Sequence, residues 1–267
     1  MEEAKYLQKE SLRRFNMIMG GLHLLQGLLM IVLSLFVLDQ IAAFEITITQ
    51  IFLRYDMTLQ ALVVDFKNLF NLPFYFLVAL FLLISAGAHA LISFPKKLND
   101  LYNADLDRGI NRFRWFEYAL SSSIMIVLIA TLFGVRDIGS LVLIFIVNAA
   151  MNLFGLDMEI INSGKQKDKV NWGPFIWGTI AGLAPWIVII TYMAGNTEAL
   201  DQVPWFVWAI VGTYFVAFNT FPINMIFQYL GVGKWKNYIY GERFYIILSL
   251  VAKSILAWLV LFGAMQP

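Results

Sequence analysis

Residues 242–265 read ERFYIILSLVAKSILAWLVLFGAM, an almost unbroken apolar run in which, after Glu242 and Arg243, the one charged residue is Lys253. Roughly 20 mostly apolar residues suffice for a helix to cross the hydrocarbon core, so this stretch reads as a membrane span. Lys253 stands 11 positions after Glu242 and 12 before Met265. At 1.5 Å per residue its backbone lies roughly 16–18 Å from either end. A lysine can snorkel only from the ends of a span, and a charged one at mid-depth costs at least ~2.5–3.5 kcal/mol on insertion scales. Lys253 must therefore be neutral, paired or covalently modified. A lysine that merely pairs with a carboxylate to fix helix packing would meet the same requirement.

The rest of the chain repeats that apolar character. Of 267 residues, 60% are apolar, 16% aromatic and only 14% charged, and the mean hydropathy is +0.72. A soluble domain carries about 25% charged residues, so this composition excludes an ordinary water-facing globule, and its apolar mass excludes disorder. The absence of cysteine excludes disulfides and thiolate metal sites. A net charge of +1 offers nucleic acid no bulk attraction. What remains is an all-α polytopic membrane protein, a seven-helix bundle read as one domain over residues 1–267. Its spans are Leu12–Leu38, Pro73–Phe94, Arg112–Val135, Ile138–Ile161, Trp172–Ala194, Pro204–Leu230 and Glu242–Met265. No internal repeat or low-complexity tract interrupts them.

Basic residues set the expected orientation. Fifteen of the nineteen lie in the N-terminal tail and in the loops after spans two, four and six, whereas Arg54, Lys67 and Arg136 fall on the opposite side. This predicts a cytoplasmic N-terminus and an extracellular C-terminus. The first apolar run is too long for a signal-peptide core and lacks a small-residue cleavage pattern, so it reads as a retained anchor. The longest outer loop, about 39–72, holds an alternating stretch, Phe44–Thr49, then a turn candidate at Arg54–Met57 and a second run, Leu59–Val64. This predicts a β-hairpin. Being marginal alone in water, the hairpin is expected to rest an apolar face on the bundle or on a neighbouring subunit; a loosely ordered loop is the alternative.

Glu117 in span three is the candidate partner for Lys253. Counted along their helices the two differ in depth, about 27 Å against 18 Å from the outer end. Side chains lean toward the helix N-terminus, which lowers the amine by about one turn to the level of Ser249, and helix tilt supplies the remainder. The alternative is an interfacial glutamate facing headgroups. At 100° per residue Glu242, Ser249 and Lys253 share one face, and Glu117, Ser121, Met125 and Leu128 form a matching stripe. One mid-membrane lysine on the last of seven helices, with a carboxylate nearby, is what a retinal Schiff base requires. Trp115, Met125, Met151, Trp172, Trp177, Trp186, Trp205, Trp208, Tyr214 and Phe218 are candidates to line a polyene slot, although packing or lipid contact accounts equally for most of them. The two histidines, His23 and His89, lie in the inner halves of spans one and two, each either satisfied by a local partner or acting as a proton site.

The stretch RWFEYALSSSIMIVLIA at 114–130 and SLVAK at 249–253 resemble the third-span signature and the retinal-lysine segment of heliorhodopsins, and the inverted topology and long first outer loop match too. The resemblance covers essentially the whole chain. It implies retinal, all-trans in the dark, bound through Lys253 with Glu117 as counterion and Ser249 and Ser121 as polar neighbours. Tyr118, Met125, Asn148 and Phe218 are the further candidate contacts. His23, His89, Gln26, Glu159 and Glu242 are candidates for an inner proton network. The resemblance also implies a homodimer whose first outer loop helps to cover the assembly.

Pumps of the microbial-rhodopsin family look like chains with further carboxylates where this sequence has Ser249 and Leu128. A light sensor that signals to an unidentified cytoplasmic partner is therefore expected rather than an enzyme or a steady pump. A light-driven or light-gated transporter is the alternative. An intramembrane hydrolase is a poorer third, since two isolated histidines without cysteine suit neither a metal cluster nor a nucleophile–base pair.

Overall fold

The computed structural model describes residues 2–195 and 202–265. Helix α1 (Glu2–Val32) continues through a π-helical turn, Leu33–Val37, to a short helix α2 (Asp39–Ala43). A hairpin follows, β1 (Glu45–Asp56) and β2 (Ala61–Pro73), then α3 (Phe74–Ser93), α4 (Lys96–Asp107), α5 (Arg112–Leu132), α6 (Ile138–Asn162), α7 (Gly173–Gly195), α8 (Trp205–Leu230) and α9 (Tyr238–Ala264). Seven of these helices are long and apolar enough to cross a membrane. The protein is a multi-pass membrane protein, and the seven-helix bundle expected from its sequence is present.

Helix α5 is the hub. About 72% of its most apolar stretch is buried inside the protein, against 22–50% for the other spans, and it packs against α3, α6, α7 and α8. Met125, Ile126, Leu128, Ile129 and Ala130 form the buried half nearer the hairpin, beside Phe74, Leu77 and Val78 of α3 and Leu256, Ala257 and Val260 of α9. Asn111 caps its first turn, the side-chain oxygen accepting from the Arg114 amide at 3.0 Å, a position asparagine suits because it satisfies an otherwise free N–H. Helices α7 and α8 carry Pro185 and Pro222, each of which removes a backbone hydrogen bond. The two meet through Trp186, whose ring lies 5.2–6.0 Å from those of Tyr214, Phe215 and Phe218.

Three features depart from the sequence reading. Helix α1 begins at Glu2, not Leu12, because residues 2–11 are good helix formers tied down from the side. Lys9 pairs with Asp107 at 2.6 Å and Arg243 donates to Ser11 at 2.7 Å. The connection after α3 contains a whole helix, α4. Its buried face mixes Asn99, Tyr102, Asp105 and Leu106, so apolar periodicity never announces it.

The hairpin is twice the expected length and turns at 57–60 rather than 54–57. Asp56 Oδ1 accepts the amides of Thr58 and Leu59 at 2.8 and 3.0 Å, and Gln60 takes the positive φ of 47°. That chemistry sets the turn where strand alternation had already lapsed. Only the base of the hairpin rests on the bundle. Ile48 is buried and Phe44 stacks on Phe74 at 4.6 Å, while Ile51, Leu53, Val64 and Phe66 farther out are exposed.

Asp137 fastens that base. One carboxylate oxygen accepts the Ile51 amide at 3.0 Å and the other caps α6 at Ser140, 2.9 Å, beside a Thr49 N–H to Arg136 carbonyl bond of 2.9 Å. The backbone donors of Ile51 and Ser140 hold the Asp137 carboxyl below its ordinary value near 3.8. Such a group stabilises the native state above its ordinary value, and the contribution is lost as pH falls through the lower native one. Protection of the Ile51 amide, measured as its exchange rate relative to the intrinsic rate at each pH, should therefore be high at neutral pH and fall in strong acid. Asp137→Ala should lower that protection at neutral pH, with the difference from the parent shrinking in strong acid, and cost α6 its cap, about 1 kcal/mol.

Candidate functional site

The depth estimate for Lys253 is met by convergence of α3, α5 and α9. Its Nζ donates to Glu117 Oε1 at 2.6 Å, to Ser85 Oγ at 2.6 Å and to Ser249 Oγ, one turn toward the N-terminal end of α9, at 3.0 Å. The Ser85 hydroxyl donates in turn to Glu117 Oε1 at 2.6 Å. Lys253, Glu117, Ser85 and Ser249 are all buried, and the amine sits 5.3 Å from the centre of the Tyr118 ring. A buried ion pair recovers its desolvation cost only when the remaining donors and acceptors are also matched, and the two serines supply that here. Ser121, one turn above Glu117, is buried with a free hydroxyl.

Two cavities adjoin this centre on opposite sides of it. The larger, of about 170 Å³, runs from Lys253 and Ser249 between α5, α6, α7 and α8. Met125, Met151, Tyr214, Phe218 and Phe221 make its walls, with Tyr118, Ser121 and Ser122 near the amine end and Trp115 farther along. Its width depends on absent side chains, because a Cβ on Gly155 would collide with the Trp115 indole and one on Gly182 would press on Met151. Asn148 stands behind this wall, its amide donating to Ser122 and Ser123 at 2.9 and 3.0 Å; Asn152, one turn on, reaches the cavity itself. Of the other aromatic candidates, Trp177, Trp205 and Trp208 face outward, Trp172 packs in a separate cluster, and Trp186 braces α7 against α8.

The smaller cavity, about 40 Å³, has polar and apolar walls and extends from Ser85, Glu117 and Ser249 toward the face where the chain begins, ending at Asn16, His89, Tyr102, Asn111 and Arg114. His89 Nδ1 lies 2.8 Å from Asn16 Oδ1, and its ring stacks on His23 at 5.7 Å. His23 is fully buried, and among the described residues neither of its ring nitrogens has a partner. Gln26 points the other way, accepting from the Trp258 indole at 3.2 Å.

Glu159 and Glu242 lie apart from the histidines. Both clasp the buried Arg114 guanidinium, which also sits 4.0 Å from the centre of the Tyr245 ring. Glu159 further accepts from the Asn111 amide at 2.8 Å, the Trp115 indole at 2.7 Å and Tyr238 at 3.0 Å, and Glu242 accepts from the Asn111 side chain at 2.7 Å. Arg114, counted from sequence among the loop cations, is thus a buried residue. Sequence reasoning also missed Ser85 and Asn16. Ser85 precedes His89 by four and so shares its helix face, a signal that was present; Asn16 had none. Among the described residues, no group of three or more His, Asp or Glu side chains is placed to hold a metal ion.

A protein-family model described as Heliorhodopsin matches residues 12–265. The chain belongs to the heliorhodopsin family. Heliorhodopsins are rhodopsins, retinal-binding and light-sensing membrane proteins of the photoreceptor type. No curated protein matches the chain.

The matched buried pair predicts a sharp asymmetry between single and double substitution. Removing one partner of such a pair strands the other charge at a cost of ~3–5 kcal/mol, whereas replacing both is close to neutral. Lys253→Met in chromophore-free protein should therefore lower the thermal midpoint in detergent, and adding Glu117→Gln to it should restore most of the loss.

Proposed function

We propose that this chain is a light sensor whose chromophore, retinal in its all-trans form in the dark, is carried on Lys253, with Glu117 as counterion. The observation that carries this reading is the junction of a buried amine, a buried carboxylate 2.6 Å away and an elongated apolar cavity opening from the amine. Retinal, when bound, supplies an aldehyde that condenses with the lysine and a polyene that isomerises in light. The residues present fit it: the cavity's walls are mainly aromatic, methionine and glycine, Ser121 and Ser249 stand at the lysine end, and Asn152, Thr179 and Asn219 are the polar residues contributed by α6, α7 and α8. Glu117 holds the positive charge in place, Ser85 and Ser249 orient the nitrogen, and Met125, Tyr118 and Phe218 confine the chain.

The polar route from this centre favours a sensor over a pump. Toward the face bearing the N-terminus, the small cavity joins Glu117 to His89 and Asn16, and His23 stacks behind. A proton leaving the Lys253 nitrogen can be held there. Toward the hairpin, the buried residues of α3, α5 and α9 are Leu77, Val78, Leu128, Ile129, Ala257 and Val260, with Thr131 bonded back to the Leu128 carbonyl of its own helix. One-way transfer across the membrane needs relays on both sides, and these side chains offer none. The basic loops support a cytoplasmic N-terminal face, toward which the sensor would signal an unidentified partner. Exposed Ile51, Leu53, Val64 and Phe66 on the hairpin support a homodimer that covers them.

All-trans retinal added to the expressed protein should raise a visible absorption band. Lys253→Ala should abolish the band and Glu117→Gln should shift it to the red, because loss of the counter-charge destabilises the cation; an unshifted band rejects Glu117 as counterion. Illuminated vesicles should show no sustained pH change, and a lasting gradient would move the assignment to a light-driven transporter.

A further inference from the structure

Helix α4 is a surface helix of 12 residues, too short to persist on its own propensity, so its position depends on the side chains that dock it. Asn99 donates to the Ile92 carbonyl at 2.7 Å, Asp105 meets Arg112 at 2.6 Å and Asp107 meets Lys9 at 2.6 Å. The Lys9–Asp107 contact is at the surface, whereas Asn99 and Asp105 are buried. Tyr102, 2% exposed, reaches further, for it lines the same cavity as Glu117 and Ser85. A water needs about 10–15 Å³ of such space, so a cavity of about 40 Å³ accommodates a few water molecules between the buried pair and this tyrosine.

Tyr102 is also linked to the histidines through one amide. Asn16 Oδ1 is 2.8 Å from His89 Nδ1, and Asn16 Nδ2 donates to the Leu12 carbonyl at 3.0 Å and reaches the Tyr102 hydroxyl only at 3.5 Å. The amide has a single oxygen, and it is committed to His89. Adding a proton to His89 turns that contact into a charge-assisted bond, shorter and stronger than the neutral one. The amide is then drawn to the imidazole and away from Tyr102, whose hydroxyl loses a contact already at the limit of hydrogen-bond length. The hydroxyl then turns to the cavity instead of to α1, and the docking of α4 loses that tie.

We infer that α4 is the element through which the state of the Lys253–Glu117 centre is communicated to the face bearing the N-terminus, with Asn16 and Tyr102 as the positioning residues that couple it to His89. The inference rests on the light-sensor reading above. The proton balance is closed within the protein: the N–H bond broken is at the Lys253 nitrogen, the one formed is on the His89 ring, and one positive charge moves from the first to the second. Loosened α4 would present Leu101, Lys96 and Lys97, all exposed, in a new position at the surface.

The chain has no cysteine, so Leu101→Cys creates a unique attachment point for a nitroxide on α4, and Lys165→Cys provides a control site in the α6–α7 connection. The full chain, loaded with retinal in vesicles, is measured in the dark and under light by spin-label mobility and by transient absorption. Light should sharpen the nitroxide spectrum at 101 and leave that at 165 unchanged. Tyr102→Phe should keep the visible band and its light-induced transients but lose the sharpening at 101, and Asn16→Leu should lose it likewise. An unmoved label at 101 during a normal photocycle, equal movement in Tyr102→Phe, or equal sharpening at both sites overturns the inference while leaving the sensor reading intact. Protein that stays colourless with retinal overturns the sensor reading itself, and the role of α4 falls with it.

Discussion

Taking an amine and a carboxylate out of water costs several kcal/mol per ion unless their geometry and remaining hydrogen bonds are nearly ideal. Lys253 meets that demand with acceptors on α3, on α5 and one turn away on α9. The requirement constrains more than the pair. It obliges α3 to bring Ser85 to the depth of Glu117, and it makes α5, which bears Glu117, the most enclosed helix of the bundle. Side chains as small as serine fit here because hydroxyls can answer both charges at once, donating to the carboxylate while accepting from the ammonium.

Around that centre the protein is divided by polarity. Apolar side chains of α3, α5 and α9 fill the hairpin half, where a polar group would have to be matched in hydrocarbon. The other half holds the histidines, Asn16, and Arg114 clasped by Glu159 and Glu242. One guanidinium facing two carboxylates leaves an excess of negative charge in that cluster, which Asn111, Trp115 and Tyr238 offset by donating hydrogen bonds into it. The small cavity touches both groups, so charge displaced from the lysine enters a region already built to hold charge.

The elements outside the bundle follow weaker rules. The hairpin is held at its base by backbone pairing and by Asp137, and beyond that base its strands carry exposed apolar residues on a ladder that pairs only with itself. Helix α4 is bound by a small apolar cluster around Tyr102 and Leu106 and by a handful of polar contacts. Such elements move at lower cost than packed spans do.

Seven spans, their approximate limits and the oddity of Lys253 were legible in the sequence, because a bilayer of known thickness turns composition and spacing directly into helices and depths. Glu117 was legible as well, once the lean of side chains toward the helix N-terminus and a tilt of the spans closed its difference in depth from Lys253. Ser85, Asn16 and the burial of Arg114 were not, because which helix faces meet around the lysine depends on tilt and on neighbours in space, quantities a linear pattern does not contain. For the same reason the sequence grouped Glu159 and Glu242 with the histidines, whereas packing sets them around Arg114. Hairpin length and α4 escaped for a different cause: at the surface neither hydrocarbon nor a dry core imposes a period on the residues, and turn chemistry at Asp56 and polar docking at Tyr102 decided what formed.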